Sequence, residues 1–430
     1  MKGTKYLSEL VDCSALQKGQ LNVIKAPTGS GKTFTAICAI RDALLRKKDV
    51  IVLVPSVGLL TQWVKELREA ITDVNADFLI CGTGHSTWKK CGVLESWTTP
   101  GTSNMTVVIA TMDTASSDKF ISGIVQGDHL LVVADEVHRI GSAKRSKFLS
   151  VYSGERLGLS ATPIRYGDPD GTKAIMEYFG GVVEPVYTLK DAIYDGVLTK
   201  YFYYPISMCL SSTEQDEWNR YTKKINRLYA QMLSSGDGAK KILSDHRISS
   251  LLLQRARIVK TASKKVTLAG DIVSQNYKKG QKWIIYCDNR IQLGEVLSCL
   301  SARGIDAYEY YSEMEGDRKE TLSYFSDFGG VLVSIRCLDE GIDIPSTTHA
   351  LILASSKNPR EFIQRRGRIL RKSPGKSFAY LYDIIVTPNG EIRDDLKSTS
   401  IIESELSRAI KFGEWAENPS CVASLKNIAI

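Results

Sequence analysis

One short segment near the start of the chain constrains its fold more than any other feature. An apolar run at 21–26 leads into a glycine-rich loop at 27–31, and the pattern of residues 32–47 predicts a helix. A strand, a tight loop and a helix in this order form the first half of a β-α-β unit, whose strands run parallel. The segment therefore predicts an α/β domain built on a parallel sheet.

Further apolar runs of strand length follow in two series. They are rich in Val, Ile and Leu and too continuous to be half exposed, which is typical of parallel strands covered on both faces. Helix-like stretches at 32–47, 58–70, 290–303, 316–327 and 359–371 separate several of them. The predicted strands are 21–26, 50–54, 106–110, 129–134 and 157–160, then 283–287, 305–310, 330–335, 349–354 and 377–383. No residue-level repeat aligns, so we interpret the two series as two similar domains.

The stretch between the two series has a different character. Ser211-Ser212-Thr213-Glu214 resembles a helix capping box, and the Lys-, Arg-, Leu- and Tyr-rich residues after it predict helices. Near the end of the chain, residues 401–415 carry apolar side chains near helical spacing and predict a closing helix. The expected organisation is a first domain at 1–210, a helical connector at 211–280, a second domain at 281–400, and a C-terminal helix and tail at 401–430.

Composition narrows the class of protein. With 430 residues, 43% hydrophobic and 24% charged, the chain is neither collagenous nor disordered and has room for two or three domains. The net charge of +8 permits a polyanionic partner without requiring one. Nine scattered cysteines form no CxxC pair, which indicates reduced thiols and a cytoplasmic location. No apolar run approaches about 20 residues and the first residues lack an apolar leader, so we expect no membrane partner and no secretory signal.

The loop after the first strand predicts a phosphate site. It matches the P-loop pattern in part, because Ala26 stands in place of the first Gly. Glycines let backbone N–H groups turn toward phosphates, while Lys32 would reach the β- and γ-phosphates and the Thr33 hydroxyl would bind Mg²⁺. A chance glycine-rich turn is the alternative, and the strand-loop-helix context disfavours it. The candidate nucleotide-binding residues are Ala26, Pro27, Thr28, Gly29, Ser30, Gly31, Lys32 and Thr33.

Two carboxylates follow a later apolar run. Leu130 to Ala134 predicts a buried strand, and Asp135 and Glu136 come directly after it. Asp135 would hold the Mg²⁺ shell, and Glu136 would orient and activate an attacking water as a general base. An acidic pair on the surface is the alternative, although such pairs rarely end a buried strand. Both acids together favour hydrolysis of the nucleotide over binding alone.

These motifs, with others in the expected order, resemble superfamily 2 helicases and translocases. Asp135-Glu136-Val137-His138 is the DExH form of the acidic motif, and Ser160-Ala161-Thr162-Pro163 matches the motif that couples hydrolysis to nucleic acid. The GLSATPIR and QRRGRILR segments resemble the transcription/repair DNA helicases and the motor subunits of restriction enzymes in particular. Other matching segments are 54–63 (motif Ia), 109–111 (Ib), 284–287 (IV), 339–345 (V) and 364–371 (VI).

The resemblance implies two tandem RecA-like P-loop domains joined by a helical connector, with ATP and Mg²⁺ as cofactors. Arg368 and Arg371 lie three apart on a predicted helix and so share a face, and the resemblance gives both the arginine-finger role. Gln364 would also face the nucleotide. In motif V, Gly341 allows a tight loop and Asp343 would face the nucleotide or the finger arginines.

Two further groups of residues take their roles from the same resemblance. His138 would couple the acidic motif to Ser160 and Thr162. Ser56 and Thr111 would contact the backbone of a nucleic acid, since hydroxyl groups grip phosphates without reading sequence. Four basic residues near the same edge are additional candidates, with an ordinary solvated charge as the equal alternative: Lys144, Arg145, Lys147 and Arg165.

The leading expectation is an ATP-dependent DNA helicase or translocase, acting in repair, replication/recombination or phage-related defence. An RNA helicase is one alternative, and a nucleotide-dependent nucleic-acid clamp within a larger complex is another. Only about 25 residues precede the P-loop and neither Gln17 nor Gln20 clearly fits an adenine-reading element, so recognition of the base stays open. The sequence shows no nuclease motif, so a nuclease or targeting activity would come from partner subunits.

Overall fold

The chain divides into two compact units, Met1–Leu198 and Thr199–Ile430, in a computed structural model. The structure describes residues 21–101, 104–165, 167–235, 245–335, 346–354, 369–387, 400–423 and 425. Every structural statement below concerns these residues.

The first unit is built on a parallel six-stranded sheet in the order β1-β6-β5-β2-β4-β3. Its strands are β1 (Leu21–Lys25), β2 (Asp49–Val54), β3 (Ala76–Cys81), β4 (Met105–Thr111), β5 (Gly127–Ala134) and β6 (Ser153–Ser160). Its helices are α1 (Lys32–Leu45), α2 (Val57–Ala70), α3 (Val93–Trp97), α4 (Met112–Ala115), α5 (Asp118–Ser122), α6 (Pro169–Phe179) and α7 (Leu189–Tyr194). Short 3-10 turns lie at Thr87–Lys89, Val137–Arg139 and Arg145–Ser150.

The second unit holds another parallel six-stranded sheet, ordered β7-β12-β11-β8-β10-β9. Its strands are β7 (Lys200–Cys209), β8 (Lys282–Cys287), β9 (Ala307–Tyr310), β10 (Gly330–Ile335), β11 (His349–Ile352) and β12 (Phe378–Thr387). Its helices are α8 (Ser212–Ser234), α9 (His246–Lys260), α10 (Lys264–Asn276), α11 (Arg290–Ser301), α12 (Arg318–Phe328) and α13 (Ser400–Gly413), with a 3-10 turn at Pro419–Val422.

The two sheets have the same topology. If the strands are renumbered from one within each unit, both sheets read 1-6-5-2-4-3. All of their ladders are parallel, as expected for strands joined by helical crossovers. The fold is therefore two RecA-like α/β domains, which confirms the predicted fold class.

The central strands are apolar because both of their faces are covered. In the first unit, residues 49–54 of β2 are all buried, and Ile51, Leu53, Val108 and Val132 belong to one apolar core. A strand buried on both faces gains from apolar side chains in consecutive positions, since each buried aliphatic side chain contributes roughly 1.5–3 kcal/mol. That is why these runs are visible in the sequence.

Two strands, β3 and β7, have no counterpart among the predicted apolar runs. Both lie at sheet edges, where one side of the strand lacks a neighbour, and both contain buried and partly exposed side chains. β7 also contains Pro205, whose backbone nitrogen carries no hydrogen to donate. An edge strand tolerates proline because one of its sides has no neighbouring strand.

The pairing of β7 moves the expected division between the domains. We expected residues 199–210 to belong to the first domain, but β7 pairs with β12 along its whole length, from Lys200 opposite Phe378 to Cys209 opposite Thr387. The division therefore falls at Leu198 and Thr199 instead of residue 210. Strand pairing between segments about 180 residues apart is not visible in a local pattern.

The expected helical stretch at 211–280 contains α8, α9 and α10. The predicted capping box is present, since Ser211 Oγ accepts from the Glu214 backbone N–H and the Glu214 carboxylate accepts from the Ser211 backbone N–H. α8 and α9 pack through Met232 and Ile248. The buried Arg255 of α9 donates to Thr222 Oγ1 at 3.2 Å. These contacts pack α8 and α9 against each other within the second unit.

The closing helix α13 packs on the second sheet. Tyr201 Oη donates to the Phe412 carbonyl oxygen at 2.7 Å, and Arg408 Nη2 donates to both carboxylate oxygens of Asp383 at 2.9 and 3.1 Å. Leu406, Ala409 and Phe412 are buried, in agreement with the predicted helical spacing.

Two findings bear on the cysteines and on membranes. Cys81 and Cys287 are buried in the two sheets, and burial raises the pKa of the Cys81 thiol to about 12. Within the described part of the chain, no helix combines the length and apolar character needed to cross a bilayer. The cytoplasmic location stays a prediction.

Candidate functional site

The loop between β1 and α1 has an open backbone. Gly29 and Gly31 adopt φ values of 83° and 98°, in the left-handed region that favours glycine. Gly31 is also the N-cap of α1 and supplies no side-chain cap, so the first N–H groups of the helix are not closed off by a side chain. A helix end of this kind favours an anion.

The side chains of the loop support the same interpretation. Lys32 Nζ donates to the carbonyl oxygens of Ala26 and Pro27 at 3.0 and 2.9 Å, which holds its ammonium group over the loop. Ser30 Oγ donates to the Pro27 carbonyl at 2.7 Å and tightens the turn. Thr28 Oγ1 is buried and has no hydrogen-bond partner among the described residues. A buried hydroxyl without a partner costs free energy unless a ligand supplies one, so the loop fits a phosphate chain.

The carboxyl end of β5 supplies an anchored carboxylate. Asp135 is 9% exposed. Its Oδ2 accepts from Trp63 Nε1 at 3.0 Å and its Oδ1 accepts from the Glu136 backbone N–H at 2.8 Å. Burial raises the pKa of this carboxyl group, while the Trp63 N–H and the nearby charge of Lys32 oppose the increase. The proximity of Lys32 brings the P-loop and the predicted metal ligand into one site, with Thr33 at the start of α1.

Glu136 has a strained backbone. Its φ of 47° and ψ of 50° place it in the left-handed region, which a residue with a Cβ seldom adopts. Strain of this kind persists where the surroundings fix it, and it is concentrated at functional sites. The strained turn directs Glu136 away from the regular path of the strand, immediately after Asp135.

The predicted coupling residues lie together. His138 is fully buried, with Nδ1 3.0 Å from Ser160 Oγ and 3.4 Å from Glu136 Oε2. Ser160 Oγ also accepts from the Thr162 backbone N–H at 3.0 Å. The end of β6 is tied to the phosphate loop as well, because the Ala26 N–H donates to the Ser160 carbonyl at 3.3 Å. One chain of contacts therefore joins Glu136, His138, Ser160 and Thr162.

The basic candidates divide into two groups. Arg165 Nε donates to Asp168 at 2.7 Å and its Nη1 donates to the His138 carbonyl at 2.5 Å, while Arg145 donates twice to Asp113. These two arginines hold the structure of their own unit. Lys144 and Lys147 are far more exposed, although each lies near an aspartate.

The hydroxyl candidates for nucleic-acid contact both cap helices. Ser56 Oγ accepts from the Leu59 N–H at the start of α2, and it remains partly exposed. Thr111 is buried, and its Oγ1 accepts from the Thr114 N–H and donates to Thr114 Oγ1 at 2.9 Å. Ser56 is thus the more accessible of the two, and both contacts stay predictions.

Four predicted residues lie outside the described part of the chain: Gly341, Asp343, Gln364 and Arg368. Arg371 is described, and its backbone is anchored. Its carbonyl oxygen accepts from Lys376 Nζ at 2.9 Å and from Thr199 Oγ1 at 3.2 Å. The Thr199 N–H also donates to the Leu370 carbonyl at 2.7 Å. The first residue of the second unit thus holds the end of the arginine-rich motif.

The sequence did not point to three residues that the structure brings into contact with predicted site residues: Trp63 in the first unit, and Thr199 and Lys376 in the second. Trp63 belongs to a recognised motif, but the pattern gives no reason to pair it with Asp135. Thr199 and Lys376 carry no sequence signal, because their partners are backbone carbonyls. Trp63 and Thr199 became visible only through hydrogen bonds to residues 72 and 172 positions away, and Lys376 through a bond to a carbonyl oxygen five residues before it.

Parallel sheets, an open P-loop and two acids at a strand end define a P-loop nucleotide hydrolase. Two family models match the chain: the res subunit of type III restriction enzymes over residues 4–165, and the helicase conserved C-terminal domain over residues 264–373. The chain belongs to the superfamily 2 helicases and translocases, as the motifs predicted.

Two curated relatives carry names that agree with this family. The chain is 25% identical over 404 residues to "DNA 3'-5' translocase XPB2" of Sulfurisphaera tokodaii, covering 90% of this chain and 82% of the relative. It is 27% identical over 400 residues to "Putative DNA 3'-5' helicase Rad25" of Halobacterium salinarum, covering 91% and 55%. The chain thus spans most of the first relative and about half of the second.

Solved structures show the same fold. The helicase domain of Pyrococcus furiosus Hef superposes with a TM-score of 0.55 at 16% identity, covering 92% of this chain and 97% of that one. The type ISP restriction-modification enzyme LlaBIII bound to DNA gives 0.64 at 20% identity, covering 95% and 29%. At these identities the likeness concerns the fold alone.

Proposed function

We propose that this helicase-family enzyme couples ATP hydrolysis to movement along DNA or to its unwinding. One observation carries the proposal: His138 lies between the acid Glu136 and Ser160 of the coupling motif. Through His138, a movement of the loop that follows Ser160 would change the position of Glu136. The enzyme would then hydrolyse ATP in step with its grip on a strand.

ATP and Mg²⁺ fit the residues present. The Thr28 hydroxyl, which has no partner among the described residues, and the left-handed glycines suit a phosphate chain. Thr33 and Asp135 supply the oxygen ligands that Mg²⁺ prefers, and they would hold it. When bound, the metal neutralises charge on the phosphate oxygens. Lys32 would move from its loop carbonyls to the β- and γ-phosphates.

Glu136 is the proposed general base. It would accept a proton from the attacking water, and its left-handed backbone holds it directly after Asp135. His138 and Ser160 would keep its carboxylate in place. For Gln364, Arg368 and Arg371 we propose contacts with the nucleotide, the two arginines stabilising charge on the transferring phosphate.

DNA is the proposed substrate. The names of two relatives state activity on DNA, although another relative, from Methanocaldococcus jannaschii, is named a putative ATP-dependent RNA helicase at 25% identity. We propose DNA repair, replication/recombination or phage-related defence as the setting. Since the chain covers only 29% of the restriction enzyme, partner subunits or further domains would supply any nuclease or targeting activity.

The ATPase activity of the purified chain, measured with single-stranded DNA, duplex DNA and RNA, tests this proposal. We expect the largest stimulation with DNA and a steep loss of stimulation as salt rises, because phosphate contacts dominate such binding. Greater stimulation by RNA would make the chain an RNA helicase. No stimulation by any polynucleotide would favour a clamp. Strand-displacement assays with both overhangs then distinguish unwinding from translocation.

A further inference from the structure

Trp63 makes a contact that its place in the core does not require. It lies on the buried face of α2 with Leu60, Val64 and Leu67, and it is 1% exposed. A Phe ring would satisfy the apolar packing of this face. Unlike a Phe ring, the indole carries an N–H that can donate a hydrogen bond, and here its acceptor is Asp135 Oδ2 at 3.0 Å.

The contact completes the support of Asp135. The Asp135 backbone N–H donates to the Leu53 carbonyl at 2.9 Å, which continues the pairing of β5 with β2. Oδ1 accepts from the Glu136 backbone N–H, and Oδ2 accepts from Trp63. The hydrogen bond to Oδ1 alone would let the carboxylate rotate about the Cβ–Cγ bond. The indole N–H of Trp63 prevents this rotation because it holds the other oxygen, Oδ2.

We propose that Trp63 is a positioning residue that orients the Asp135 carboxylate for the metal-nucleotide complex. Each carboxylate oxygen has two acceptor directions, so Oδ2 can accept from the indole and still face a cation. Groups that hold a metal ligand in this way set metal affinity, because a ligand free to rotate must be ordered at each binding event. Since Asp135 matters here as a metal ligand, the role of Trp63 rests on the proposed function.

The first unit supplies a matched control. Trp88 is also buried in the core, where its ring packs on Phe120, but its indole nitrogen has no hydrogen-bond partner within the described residues. Trp63→Phe and Trp88→Phe both replace an indole by a smaller ring. Only the first removes a hydrogen bond to Asp135.

The test measures binding of the fluorescent nucleotide mant-ADP to the full chain as magnesium chloride is increased. For Trp63→Phe, we expect affinity without magnesium to stay within about twofold of wild type, while half-saturation requires about tenfold more magnesium. The wild type and Trp88→Phe should give matching magnesium curves. Thermal denaturation should show similar midpoints for the two variants.

Matching magnesium curves for Trp63→Phe and Trp88→Phe would overturn the role of Trp63. Wild-type protein that binds no mant-ADP, or binds it without a magnesium effect, would instead defeat the proposed function.

If Trp63→Phe does not fold, ¹⁵N-tryptophan labelling of the wild type replaces it. The chain has six tryptophans, so replacing the others one at a time assigns the Trp63 indole signal. That signal should move when magnesium is added to the nucleotide complex, and an unmoved signal would overturn the role.

Discussion

The two units share a sheet topology, yet their first helices begin differently. In the first unit, α1 starts at Gly31, whose left-handed backbone leaves the helix end without a side-chain cap. In the second, α8 starts at Ser211, where the Ser211 hydroxyl and the Glu214 carboxylate close the end as a capping box. The same topological position is thus open to an anion in one domain and occupied by the protein's own carboxylate in the other.

The ends of the equivalent strands β5 and β11 differ in the same sense. β5 leads into Asp135 and Glu136, whereas β11 leads into Leu353 and Ala354. The fully buried Lys265 of α10 donates to the Leu353 carbonyl at 2.5 Å, and burial lowers the pKa of its ammonium group. No carboxylate follows β11 directly, so the end of this strand offers no counterpart to the predicted Mg²⁺ ligand Asp135. The two domains therefore share a topology but not a set of candidate catalytic residues, because the loop residues at the strand ends differ.

The largest effect is expected from replacing Glu136, the acid that follows β5 and has no equivalent directly after β11. Glu136→Gln should lower ATP turnover by about 10²–10⁴-fold, because glutamine cannot accept the proton. Nucleotide binding should persist, since Lys32 and the loop are unchanged. Steady-state ATPase with saturating DNA, together with mant-ADP binding, measures both. Retained DNA-stimulated turnover would refute the assignment of the general base.

The next effect concerns the open helix end. Gly31→Ala should weaken nucleotide binding by about tenfold or more, equivalent to about 1.4 kcal/mol, because alanine shifts the backbone out of its left-handed conformation. Gly316→Ala is the matched control: Gly316 also has a φ of 98°, and an added Cβ there would meet no heavy atom within 4 Å. Both variants should lose similar stability, and only the first should lose affinity in a mant-ADP titration. Equal affinities would show that the open end does not bind phosphate.

A smaller effect is expected from opening the closed end. Ser211→Ala should lower the free energy of unfolding by about 1 kcal/mol, the usual contribution of a lost N-cap. Nucleotide binding should be unchanged, because the N-terminus of α8 holds no phosphate. Chemical denaturation followed by circular dichroism measures the first quantity, and mant-ADP affinity checks the second. A change in affinity would contradict the division of roles between the two helix ends.

The smallest effect depends on pH. Partial burial would raise the pKa of Glu214, but bonds from the Ser263 and Ser211 backbone N–H groups outweigh it, so the pKa lies below the ordinary 4.5. A lowered folded-state pKa gives stability that is present above about pH 4.5 and is lost as pH falls through the folded pKa. Glu214→Gln should therefore cost about 0.5–1 kcal/mol at pH 7 and progressively less below pH 4.5. Urea denaturation at pH 7 and pH 3 tests this, and a constant difference would contradict it.

Local patterns were sufficient for much of the site. The P-loop is one continuous segment, and Asp135 and Glu136 directly follow their strand, so residue types and order reveal them. His138 and Ser160 lie 22 residues apart, and only the family resemblance paired them before the structure placed their side chains at 3.0 Å. Trp63 and Asp135 lie 72 residues apart, and no pattern joined them.

By itself, the sequence determined the strands other than β3 and β7, the phosphate loop, the acidic motif and the capping box of α8, because each depends on neighbouring residues. The tertiary structure decided that β7 completes the second sheet, that Trp63 holds Asp135, and that Thr199 holds the backbone of Leu370 and Arg371. These contacts join segments 72 to about 180 residues apart, and they form only when packing brings distant strands and helices into register.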